Sequence, residues 1–141
     1  MTNLTDKARK VFAHDLYAKY TGVEIECVES HYARCRVILT GTHRNAMGAV
    51  MGGVMFTLAD LAFAAAANSL CIEEDSDLEW VSLNSNIQFV SQPKGDTLYA
   101  QTELVKQGHT TCVYHIVISD ESNRTVSVVT TTGIRIPKMP Y

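Results

Sequence analysis

Between Asn45 and Ile72 the chain runs for 28 residues with one charged side chain, Asp60, although 19% of all its residues are charged, a share that would put about five there. Within that window the stretch from Met55 to Leu70 is alanine-rich and apolar on every side, the pattern of a helix surrounded by protein. A membrane span would need about 20 consecutive apolar residues. Asp60 divides the window into uncharged runs of 15 and 12, with Gly48, Gly52 and Gly53 in the first and Asn68 and Ser69 ending the second. The reading is a buried helix of a globular protein, with no membrane partner, and the rest of the chain must wrap it.

At 141 residues the chain has the length of one domain, expected to span 1–141, and it can bury enough surface to fold without disulfides or metal. Its 12 basic and 15 acidic residues give a net charge of −3, which argues against nucleic acid as a partner. The first twenty residues mix Asp6, Lys7, Arg9, Lys10, Asp15 and Lys19 and have no apolar core, so no secretory signal is expected and the expected location is the cytoplasm. Cys27, Cys35, Cys71 and Cys112 show no paired spacing and read as reduced core side chains. The five histidines offer no metal-ligand spacing, so no metal site is expected.

Residues 5–20 place Ala8, Val11, Phe12, Leu16 and Tyr20 at helical spacing before Gly22, which predicts one amphipathic N-terminal helix. Residues 23–29 and 32–40 read as two strands or one bent strand, and the central helix is expected at about 53–70. Four strand-like segments follow, at 79–89, 97–106, 110–120 and 125–136, rich in Val, Ile, Thr and Tyr and joined by short breaks that imply hairpins. In the first of these, strict alternation puts Trp80, Ser82, Asn84, Asn86 and Gln88 on one uncharged polar face. The fold class is therefore α+β: an antiparallel sheet of five or six strands curled around a central helix, the hotdog arrangement.

The run Asn45-Ala46-Met47-Gly48-Ala49-Val50-Met51-Gly52-Gly53, with Asp60 eight positions past the first of the paired glycines, resembles the signature of hotdog-fold acyl-CoA thioesterases of the phenylacetate-degradation type, in the 4-hydroxybenzoyl-CoA thioesterase (4HBT) superfamily. The segment from Val81 to Phe89, the Pro93-x-Gly95-Asp96 turn and Lys106-Gln107-Gly108 extend the likeness over about residues 43–136. Met51 stands where that family usually has His. The resemblance implies hydrolysis of acyl-CoA in homodimers with composite sites, pairing further as a dimer of dimers, and no cofactor beyond the coenzyme A of the substrate. It implies a thioester-orienting role for Asn45 and a water-holding role for Ser82.

The chemistry points to the same window. Thioester hydrolysis needs donors for the oxygen that gains charge, and a base or nucleophile. Gly52 and Gly53 precede the apolar helix, where free N–H groups and the positive end of its dipole face out, and neither has a side chain to block approach. Asp60 is the candidate base, or alternatively the nucleophile, because a carboxylate on an apolar helix is expensive to bury and its pKa rises there. Gly53, Met51 and Asn84 are expected to border the substrate, and the Gly108-His109 hairpin, with Lys106 and Arg124, to meet the coenzyme A phosphates; a solvated turn is the plainer alternative for each residue of that hairpin group. From a helix start at Gly53, Asp60 lies about 10 to 12 Å along the axis, too far for one thioester to touch both ends in one chain. A silent acyl-CoA-binding protein is the alternative function, supported by Met51. A hotdog dehydratase would want a histidine paired with its acid, and none occurs between His43 and His109.

Overall fold

The computed structural model describes residues 3–140. Its strands are β1 (Val23–Glu29), β2 (Tyr32–Ile38), β3 (Leu78–Phe89), β4 (Thr97–Gln107), β5 (Thr111–Asp120) and β6 (Thr125–Pro137). They form one six-stranded sheet in the order β1-β2-β4-β5-β6-β3, with every pairing antiparallel. The hairpins β4–β5 and β5–β6 follow the short breaks in the sequence. β3 instead crosses the fold to pair with β6, so β1 and β3 are the two edges.

The apolar window forms α3 (Gly52–Ala67), packed in the curl of the sheet. Leu58, Phe63, Met55 and the alanines from Ala65 to Ala67 are buried beside Leu98, Ile116, Ile118 and Val129 of the strands. Each large side chain so buried contributes about 1.5–3 kcal/mol. Phe63 meets Tyr114 edge to face, with ring centres 5.7 Å apart. Gly133 of β6 lets the helix come this close: a Cβ there would lie 2.7 Å from Cζ of Phe63 and 2.8 Å from Sγ of Cys112. All four cysteines are free, and burial pushes the Cys35 thiol up to about 12, consistent with an inert core side chain.

Three expectations are corrected. The N-terminal helix is two helices, α1 (Leu4–Phe12) and α2 (Leu16–Thr21), because the chain turns at Asp15, whose N–H donates to Phe12 O, and so brings Ala18 against α3. Val11, Leu16 and Tyr20, expected on one apolar stripe, are exposed as a result. The central helix stops at Ala67 rather than near residue 70. Asn68 ends it by donating from Nδ2 to Ala64 O and Trp80 O and accepting from Trp80 N at 2.7 Å, and a separate short helix, α4 (Ser69–Glu73), follows.

The third correction concerns β3. Its pairing with β6 shifts by one residue at Leu83: Ser82 lies opposite Gly133, but Asn84 lies opposite Thr132. This bulge inverts the alternation beyond it. Ser82, Ser85, Ile87 and Phe89 oppose the buried Gly133, Thr131, Val129 and Ser127, and Ser85 bonds Thr131 side chain to side chain at 2.9 Å. Asn84, Asn86 and Gln88 turn to the outer face and are exposed. The single polar face expected from strict alternation does not exist; Ser82 looks toward α3 and Asn84 away from it.

Candidate active site

The loop before α3 is built around Asn45. Its Oδ1 accepts from the N–H groups of Met47 and Ala49 at 2.9 and 3.0 Å, and its backbone closes the turn with Ala49 and Gly48. Gly48, at φ +83°, supplies the left-handed step that this turn needs. With the oxygen so used, the Nδ2 amide of the exposed Asn45 is left as a donor. The loop is anchored below by His43, which is buried: Nε2 contacts Thr21 O at 2.6 Å and Nδ1 accepts from Thr40 N at 3.0 Å, while Met51 N donates to His43 O. His43 has no catalytic pattern in the sequence, and its supporting role follows only from the packing of α2 beneath the loop.

Helix α3 opens on the two glycines. No acceptor is recorded among the described residues for the N–H of Gly52 or Gly53, as expected for a first helical turn. The ring of Phe89 lies so close to Gly52 that a Cβ would fall 2.8 Å from its Cζ. Met51, the N-cap residue, is half exposed and makes no side-chain capping bond.

α3 is not covered all round within one chain. Gly52, Gly53, Phe56, Thr57, Asp60 and Ala64 keep exposed or partly exposed surface while their neighbours are buried. Spacings of four and eight residues place Gly52, Phe56 and Asp60 on one side of the helix. Asp60 borders a cleft of about 240 Å³ formed with the start of α2, lined also by Asp15, Tyr17, Thr57, Leu61 and Ala64. Desolvation, and then the negative charge of Asp15, raise the Asp60 carboxyl above its ordinary value.

Among the described residues no hydrogen bond joins Asp60 to Asn45, Gly52 or Ser82. Ser82 sits opposite Gly133, whose Cα lies under Phe63, so it is level with α3 about one turn past Asp60. Gly108 and His109 lie in the β4–β5 hairpin, where Gly108 N donates to Thr111 O. Arg135 donates to Nδ1 of His109 at 3.0 Å and stands 5.4 Å from the Trp80 ring centre, a cation at this end of the sheet that the sequence reading had missed. Arg124 lies elsewhere, bonded to Ser91. A groove of about 760 Å³ shares Ala18 and Leu61 with the Asp60 cleft but holds none of the candidate residues, and its Arg36 is paired with Glu24 and Glu26. Among the described residues no group of three or more potential metal ligands gathers, and no helix is long and apolar enough to cross a membrane.

A family model described as the thioesterase superfamily matches residues 47–127. The acyl-coenzyme A thioesterase PaaI of Escherichia coli K12 is 32% identical over 122 residues, covering 86% of this chain and 83% of its own. The structure of the E. coli PaaI protein from the phenylacetic acid degradation operon superposes with a TM-score of 0.84 at 30% identity, covering 97% of this chain and 99% of that one. A hypothetical thioesterase protein from Streptococcus pneumoniae TIGR4, solved with coenzyme A, aligns with a TM-score of 0.78 at 28% identity over 93% of this chain and 98% of its own.

Proposed function

The chain belongs to the thioesterase superfamily, and from that premise we propose that it hydrolyses acyl-coenzyme A thioesters to free acid and coenzyme A at a site shared by two copies of the chain. The observation that carries the shared site is the open stripe of α3. Gly52 and Asp60 are eight residues apart on it, about 12 Å, with Phe56 midway. A two-fold axis beside Phe56 sets Gly52 of one protomer against the partner subunit's Asp60 and covers the stripe twice over. The free edge of β3 offers the same partner a strand to pair with.

In this arrangement the thioester carbonyl oxygen accepts from Gly52 N–H and Asn45 Nδ2 at the positive end of the α3 dipole, where charge grows in the transition state. Asp60 takes a proton from a water held by Ser82, and the water oxygen bonds to the carbonyl carbon. Collapse of the tetrahedral intermediate breaks the C–S bond, and the proton on Asp60 passes to the departing thiolate. Direct attack by Asp60, giving an anhydride that water then opens, uses the same groups. Gly53 and Met51 border the thioester, while Asn84 on the outer face and the Gly108-His109 hairpin, with Arg135, take the coenzyme A portion. The reaction so written needs no cofactor. A cytoplasmic homodimer, joined as a dimer of dimers, completes the reading.

The test is complementation between two defective chains. Asn45→Asp keeps an Oδ1 for the loop but replaces the amide donor with a negative charge, and Asp60→Asn removes the base. Each alone should release almost no thiol from acyl-CoA, whereas mixed dimers regain one intact site and recover turnover. A mixture that exchanges subunits and stays inactive refutes the shared site. Tight acyl-CoA binding with no thiol release by the unsubstituted protein would select the silent binding protein instead.

A further inference from the structure

The cleft beside Asp60 holds a second carboxylate that the mechanism above does not use. Asp15 stands at the start of α2, the position from which a side chain commonly caps a helix, yet it makes no capping bond. Among the described residues neither Asp15 nor Asp60 has an ion-pair partner. Both line the same 240 Å³ cleft, whose walls are otherwise Leu16, Tyr17, Ala18, Thr57, Leu61 and Ala64. No lysine or arginine lines it. The titratable groups facing Asp60 are therefore Asp15 and Tyr17 from α2, with His14 acting on Asp15 from the turn before it; α3 contributes none besides Asp60 itself.

We infer that Asp15 is a positioning residue for the hydrolysis, holding a like charge across the cleft so that Asp60 is a stronger base than an isolated carboxylate. The inference rests on the reading of Asp60 as base or nucleophile, and it strengthens either role, since both improve with basicity. Two carboxylates lining one cleft repel each other when both are ionised, which favours the protonated form of each and holds its proton up the pH scale. Both carboxyls lie above their ordinary value: Asp60 is raised by desolvation and then by Asp15, and Asp15 by desolvation against the opposing pull of His14. A base whose pKa approaches the working pH transfers protons more effectively than one at the ordinary carboxylate value.

The experiment compares pH profiles of kcat/KM for thiol release by the wild type, Asp15→Asn, Asp15→Glu and Asp60→Asn, with thermal melting as a control on folding. Asn serves as well as Asp at a helix start, so Asp15→Asn should fold. Removing the charge should move the acid limb to lower pH and lower the plateau rate by less than about tenfold, as a weaker base requires. Asp15→Glu, which keeps the charge, should leave the limb near that of the wild type. Carbon-13 titration of the Asp60 carboxyl should show the same downward shift in Asp15→Asn without reference to activity. An Asp15→Asn profile and titration that coincide with the wild type overturn the inference while Asp60→Asn remains inactive. An Asp60→Asn protein with full turnover overturns the reading of Asp60 on which it depends.

Discussion

Asp60 and Asp120 are both held by their surroundings, in opposite senses. The folded chain binds the Asp60 proton more tightly than the unfolded chain does, so that group contributes stability below its ordinary value of 3.8 and loses it as pH rises through the folded value. Asp60→Asn is expected to cut thiol release about 100- to 10,000-fold. It should also raise the melting midpoint at neutral pH, by a margin that shrinks in acid, and calorimetry across pH checks this. Asp120 is buried in the β5–β6 turn and accepts from Lys94 N, Arg124 N and Ser122 N, the first of which does most to lower its carboxyl. Its contribution is present above 3.8 and lost as pH falls through the depressed folded value. Asp120→Asn should therefore lower the midpoint at neutral pH, and the difference from the wild type should close in strong acid. Asp60 was legible in the sequence because a lone charge in an apolar run has few innocent explanations. Asp15 was not, since its importance comes from a turn that carries it across to α3.

At the scale of elements, sequence period located the strands and the central helix but not the places where their geometry is interrupted. Alternation assigns Ser82 and Asn84 to one face only if every residue of the strand is paired, and nothing in Val81-Ser82-Leu83-Asn84 announces that Leu83 is the extra one. The break between α1 and α2 was hidden for a related reason: Ala8, Val11, Phe12, Leu16 and Tyr20 keep helical spacing straight across Asp15, where the chain in fact turns and leaves Val11, Leu16 and Tyr20 exposed. Asn68 looked like the end of an apolar run and is a clasp between α3 and β3. Asn68→Ala leaves Trp80 N and O without their partners and should cost about 1–3 kcal/mol. Denaturant unfolding gives that figure, and hydrogen exchange at Trp80 should accelerate ahead of the sheet centre.

For the molecule as a whole, the open stripe of α3 and the free edge of β3 lie on the part of the fold that one chain cannot cover. If the site is shared, specific activity must depend on protein concentration. Serial dilution should lower turnover per chain in step with the loss of the dimer in analytical ultracentrifugation, and constant specific activity in fractions shown to be monomeric counts against the proposal. The strand order adds a consequence in time. β3 is the third of the six strands in chain order, but its inner neighbour is β6, the last of them among the described residues. Until β6 has emerged from the ribosome, β3 has no sheet to lie on and Gly133 is not there to receive Phe63. If copies of the chain pair through that edge as proposed, the pairing must wait until β6 is made, so a copy cut short before Thr125 would have no ordered edge with which to capture another.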